Sequence, residues 1–196
     1  MKYDLVIANG LLVTPEGTLR ANLGITGGRI CSIAEDRLDG NELVDAQDRV
    51  VFPGAIDLHV HFNEPGRTDW EGWGPGTRAA AAGGVTTVVE MPLNAVPPVT
   101  TVKALEAKLE RAVGQSVVDF ALWGGLITDN LDHLKDLAHA GVIGFKAFMS
   151  QSSTDEFTHV EDGVLFEGLK RLHDLGHFLA VHAENNWITQ DRKSVV

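Results

Sequence analysis

From Ala55 to His182 the chain alternates short apolar runs with helical patterns, and this alternation constrains its fold more than any other feature. Runs at 55–60, 85–91, 117–123, 142–148 and 178–182 read as strands. Between them, 77–82 reads as an Ala-rich helix ended by Gly83-Gly84. Thr100 or Thr101 can cap a helix carrying Val102, Leu105 and Leu109 on one face. Leu131, Leu134 and Leu137 mark a third helix; Leu165, Leu169 and Leu172 mark a fourth, stopped at Gly176. Repeated βα units predict an α/β fold with a parallel sheet, open or closed. A (β/α)8 barrel takes roughly 250 residues, so 196 residues with five such strands are either a complete open sheet or the first part of a barrel. Chemically distinctive residues end strands one, four and five, as barrel enzymes require, and this favours a truncated barrel over residues 55–196.

Residues 1–54 read differently, as a small all-β portion closed by Pro53-Gly54. Asn9-Gly10 predicts a hairpin after a strand over 3–8, and Gly27-Gly28 predicts a second between 23–26 and 29–33. The single Cys31 excludes an internal disulfide, suits a reducing cytosol and is expected to be a buried strand residue. The first ten residues, MKYDLVIANG, lack the features of a signal peptide, and no apolar run approaches the roughly 18 residues of a membrane span. A net charge of -11 argues against a nucleic-acid partner. These observations predict a cytoplasmic protein without a membrane partner.

Asp57-Leu58-His59-Val60-His61 carries the chemistry. Side chains alternate along a strand, so two histidines two apart face the same way and can share a metal ion. Asp57 shares that face and either orients a ligand or is an ordinary buried carboxylate. Lys146 stands near the end of the fourth strand, in Gly144-Phe145-Lys146-Ala147-Phe148. A protonated amine cannot bind metal. Lys146 is either a lysine snorkelling to solvent or an amine that has taken up carbon dioxide to give a two-oxygen carbamate able to bridge two ions. His182 ends the fifth strand as a further candidate ligand or as a satisfied strand-end histidine. His133, His139, His159, His173 and His177 fall on expected helix surfaces or loops and read as non-ligands.

The Pro53-Gly54-x-x-Asp57-x-His59-x-His61 run resembles the first-strand signature of the cyclic amidohydrolases, the group of dihydroorotase, dihydropyrimidinase, hydantoinase and allantoinase. The Asn-Gly and Gly-Gly-Arg-Ile turns resemble the small β-sandwich that precedes the family's barrel. The stretches 63–72, 76–81, 83–87 and Glu90-Met91-Pro92-Leu93-Asn94 are most similar to allantoinases. Dihydroorotases have an arginine where Asn63 stands, and it holds a substrate carboxylate; allantoin, a neutral ureido-hydantoin, has none. The resemblance implies hydrolysis of the cyclic amide of allantoin to allantoate, with Asn63 and Asn94 binding substrate. It implies two divalent metal ions, zinc being the expected one, held by His59, His61, carboxylated Lys146 and His182. It also implies a further histidine on strand six, a general acid/base aspartate on strand eight, and a homotetramer. Strands six and eight would lie beyond Val196, so the chain is expected to be an inactive fragment; after Gln190 it departs from the family's pattern. A hydantoinase, dihydropyrimidinase or dihydroorotase-like hydrolase and a non-catalytic relative are the alternatives.

Overall fold

Alternating apolar and polar residues carry the first strand, β1 (Lys2–Thr14), straight past the position where a hairpin was expected. The computed structural model describes residues 2–193 and divides at Gly54/Ala55 into two units. In the first, β1 pairs antiparallel with β2 (Gly17–Thr26), which pairs antiparallel with β3 (Arg29–Ala34) across Gly27-Gly28. On its other edge β1 pairs in parallel with β4 (Asp39–Asp45) and then β5 (Val50–Val51). Leu12, Ala21 and Leu23 form the core, with Ile7, Leu19 and Val51 packed against it. Asn9-Gly10 is a bulge and not a turn: the β1–β2 register shifts between Ile7 and Gly10, and Asn9 has φ 56°. Its N–H bonds Asn22 Oδ1 at 2.9 Å and its side chain bonds Asp45 at 3.0 Å. Asparagine tolerates the left-handed region, which serves a bulge as well as a hairpin. The chain reverses at Thr14/Gly17 instead. Cys31 is exposed on β3, contrary to the expectation of a buried thiol.

In the second unit β6 (Ala55–Val60), β7 (Val85–Glu90) and β8 (Asp119–Leu122) pair in parallel, as do β9 (Gly124–Gly125), β10 (Phe145–Phe148) and β11 (Leu179–His182). The third expected strand is thus broken at Trp123: β8 pairs with β7 and β9 with β10. Helices α1 (Trp73–Ala82), α2 (Val102–Ala112), α3 (Leu134–His139), α4 (Asp162–Asp174) and α5 (Asn186–Lys193) follow in order. Val88, Leu122, Phe145 and Ala147 from the strands pack with Leu105, Leu134, Leu137 and Leu172 from the helices. Thr101 caps α2, its hydroxyl accepting from the Ala104 N–H at 3.3 Å. Helix α1 starts at Trp73 and not at Thr77, because Glu64 Oε2 accepts the Trp73 N–H at 3.0 Å. That cap comes from nine residues upstream, beyond the reach of local sequence signals.

Helix α2 is rotated from its expected face. Ala104, Leu105, Lys108 and Ala112 are buried, whereas Leu109 is 42% exposed. On α4 likewise, Leu172 and Gly168 are buried and Leu169 is turned outward. The reason for α2 is an ion pair with no exposure on either side chain: Lys108 Nζ meets Glu90 Oε2 at the end of β7. The same ammonium donates to the Met91 carbonyl at 2.9 Å, and Glu90 Oε1 accepts the Phe62 N–H at 3.3 Å. Breaking a buried pair from one side strands the other charge, which costs about 3–5 kcal/mol. Lys108→Met should therefore lose that much in urea unfolding, and Glu90→Gln combined with Lys108→Met clearly less. Equal losses in the single and double variants would contradict this reading.

Candidate metal centre

Strand β6 does not deliver its histidines by simple alternation. Its pairing with β7 runs Asp57↔Val88 and then Val60↔Glu90, so β6 holds one residue more than its partner between those pairs. This is a β-bulge. The backbone groups it frees find side chains: Asp57 Oδ1 accepts the His59 N–H at 3.0 Å, and the Trp123 indole donates to the Leu58 carbonyl at 3.0 Å. Asp57 is exposed, which excludes the buried-carboxylate expectation, and its bond goes to the backbone of His59. The His59 and His61 rings nonetheless come together, with centroids 5.3 Å apart.

Lys146, on β10, is 6% exposed. Its ammonium lies 4.9 Å from the centroid of the Phe148 ring, and no carboxylate among the described residues pairs with it. It is not a lysine snorkelling to solvent. The parallel register sets Phe148 opposite His182, whose ring stacks on Phe148 at 4.7 Å. His182 is exposed; its Nε2 meets Glu184 Oε1 at 3.0 Å, and Ser150 donates to Glu184 Oε2 at 2.7 Å.

Charge links several of these side chains: His59 feels Lys146, Asp57 and His182, and His61 feels His59 and Lys146. Burial lowers the His59 pKa, Lys146 and His182 add to the fall, and Asp57 opposes it. Burial lowers His61 from 6.5 to about 4; His59, Lys108 and Lys146 reinforce this, while a hydrogen bond to the Leu93 backbone opposes it. Burial alone lowers Lys146 from its usual 10.5. Burial pushes Glu90 up to about 7, against the pull of Lys108.

Among the described residues no three of His, Cys, Asp and Glu gather closely enough to hold a metal ion. The charged neighbour that both His59 and His61 register is Lys146. Neutral imidazoles and an amine drawn toward its neutral form suit a divalent ion and a carbamate. Of the other histidines, His159 contacts the Asn186 amide at 3.4 Å and His177 packs edge-on against Phe145 at 5.7 Å.

Asn63 is 8% exposed, lies at φ 64°, and has a buried Oδ1 without a hydrogen-bond partner. Asn94, at φ 70°, places its Nδ2 3.3 Å from His61 Nδ1 and accepts from Ser153 Oγ at 3.1 Å. Sequence reasoning missed Glu90, Lys108, Trp123 and Glu184. Lys108 stands three residues after Leu105 on a helical face, and Glu184 two after His182; those spacings were the available signals.

Residues 48–195 match the dihydro-orotase-like family. The chain is 48% identical to the allantoinase of Deinococcus radiodurans over 97% of its own length and 43% of that protein's. It is 45% identical to the allantoinase of Bacillus velezensis, covering 42% of it, and 40% identical to that of Escherichia coli, covering 43% of it. The L-hydantoinase (dihydropyrimidinase) of Arthrobacter aurescens superposes with a TM-score of 0.90 at 34% identity, over 96% of this chain and 42% of that one. A D-hydantoinase structure gives 0.80 at 31% identity, over 93% of this chain and 40% of that one. The chain thus spans about 43% of the length of the curated relatives it matches, and over that span it belongs to the dihydro-orotase-like family.

Proposed function

We propose that the chain carries the first metal-binding elements of a hydrolase that opens the cyclic amide of allantoin to allantoate. In this reading residues 55–183 form an arc of a (β/α)8 barrel, and residues 1–54 belong to a small β-sandwich. The observation that supports it best is Lys146: nearly buried, paired with no carboxylate among the described residues, and close enough to His59 and His61 to depress both. A lysine in such a place needs a purpose. Its neutral amine can attack carbon dioxide, forming a C–N bond and releasing one proton. The product is an anion with two oxygen donors.

His59 and His61 would hold one divalent ion, His182 the second, and the Lys146 carbamate both; zinc is the expected metal. Two divalent ions held there would supply Lewis-acid chemistry toward water and the ring carbonyl. The chain's own residues set the stage. The β6 bulge brings His59 and His61 together, and burial keeps His61 neutral. Asn63 offers its unpartnered Oδ1 to an N–H of the neutral ring, where a positive side chain would find no anion to hold. A homotetramer and a general acid/base aspartate outside these residues belong to the same proposal. The names of the structural neighbours keep hydantoin and dihydropyrimidine rings as the second reading.

A chimera tests the reading. Joined to the part of the Deinococcus radiodurans allantoinase beyond its matched region, and supplied with zinc and bicarbonate, the chain should hydrolyse allantoin faster than hydantoin, dihydrouracil or dihydroorotate. Lys146→Ala should lower turnover at least about 100-fold, the upper range for disturbed metal sites. Preference for hydantoin would favour the second reading; unchanged turnover in Lys146→Ala would contradict the role of the lysine.

Protonation tests the donor set without metal. With a folded pKa of about 4 against 6.5, His61 stays neutral where the unfolded chain takes up a proton. Its contribution to stability is complete above pH 6.5 and is lost as the pH falls toward 4. Between about pH 7 and pH 5 the melting temperature of His61→Asn should fall less than that of the parent. An equal or steeper fall would contradict the assignment.

A further inference from the structure

Arg67 joins three loops that no strand pairing connects. It lies in the loop after β6, and its Nη1 donates to the Asn94 carbonyl, in the loop after β7, at 2.8 Å. Its Nη2 reaches both carboxylate oxygens of Glu156, in the loop after β10, at 2.9 and 3.1 Å. The guanidinium lies over Trp70, 5.2 Å from the ring centroid. Beside it the first two loops meet backbone to backbone: Val96 N–H donates to the Pro65 carbonyl at 2.8 Å, and a Cβ on Gly66 would stand 2.6 Å from Val96 Cβ. The Asn94 held in this way has its backbone in the left-handed region and its amide against His61 Nδ1. Ser153, also in the loop after β10, fixes the other end of that amide.

We propose that Arg67 is a positioning residue for His61, acting through Asn94: it holds the Asn94 backbone so that the side-chain amide engages one ring nitrogen and leaves the other free for a ligand. The proposal rests on the metal-binding reading of His61 and gives Asn94 a role other than contact with substrate. Outer hydrogen bonds of this kind fix the orientation of a ligating imidazole, and their loss weakens metal binding by about 10–100-fold. Lysine cannot replace the arginine, because a single ammonium cannot reach the Glu156 carboxylate and the Asn94 carbonyl with a planar fork. Asn94→Gly is the complementary change: glycine keeps the left-handed backbone, so only the amide is removed.

The test uses the 196-residue chain itself, as Arg67→Lys and Asn94→Gly beside the parent. Long-range ¹H–¹⁵N spectra of the histidine rings, recorded without metal, read the ring directly, and chelator competition reads zinc affinity. Both variants should shift the His61 ring nitrogens, leave those of His59 in place, and bind zinc about tenfold more weakly. His61 signals that superimpose on the parent's in Arg67→Lys overturn the proposal, even if zinc still binds and the metal reading survives. If the parent takes up no zinc, the metal reading fails while the ring shifts still decide the relay. Should Arg67→Lys not fold, unchanged His61 signals in Asn94→Gly overturn it equally.

Discussion

The buried pair of Glu90 and Lys108 is the interaction on which the rest of the second unit depends. Both side chains lie wholly out of solvent, which is costly unless their remaining hydrogen-bonding capacity is used. It is used: Glu90 takes the N–H of Phe62 directly after His61, and a hydrogen bond from the Asn63 backbone as well, while Lys108 binds the Met91 carbonyl. One pair thus fixes the rotation of α2, the end of β7 and the path of the chain as it leaves the histidines. Its ammonium also helps keep His61 unprotonated.

On that base His59 and His61 are brought together by departures from regular structure. The β6 bulge breaks the ladder between Asp57 and Val60; Asp57 accepts the freed His59 N–H, and the Trp123 indole donates to the freed Leu58 carbonyl. Trp123 can do so because it interrupts the third strand between β8 and β9. The same break hands the sheet on from β7 to β10, the strand that bears Lys146. The β6 bulge and the start of the sheet that bears Lys146 thus meet at a single indole.

Much of this was legible in the sequence. The five apolar runs became parallel strands, and Thr101 became a helix cap, because both signals are local. His59, His61 and Lys146 announced themselves because charged or basic groups in apolar runs are rare. What escaped was non-local. Asp57-Leu58-His59-Val60-His61 alternates as a regular strand would, and nothing in it signals the bulge. Asn9-Gly10 has the residues of a hairpin turn and was used for a bulge. Lys108 lay hidden on a face assigned to leucines, since only Glu90, eighteen residues away, explains its burial. A departure from the family pattern was expected after Gln190; the family match runs on to residue 195, and residues 194–196 lie outside the described residues.

Lys146 is a buried amine that pairs with no carboxylate among the described residues, and in the proposed function it becomes an anion in the presence of metal. Carbon-13 NMR of the chain with zinc and ¹³C-labelled bicarbonate observes that directly. A protein-bound carbamate carbon should be present in the parent and missing from Lys146→Ala. Identical spectra for the two proteins would contradict it.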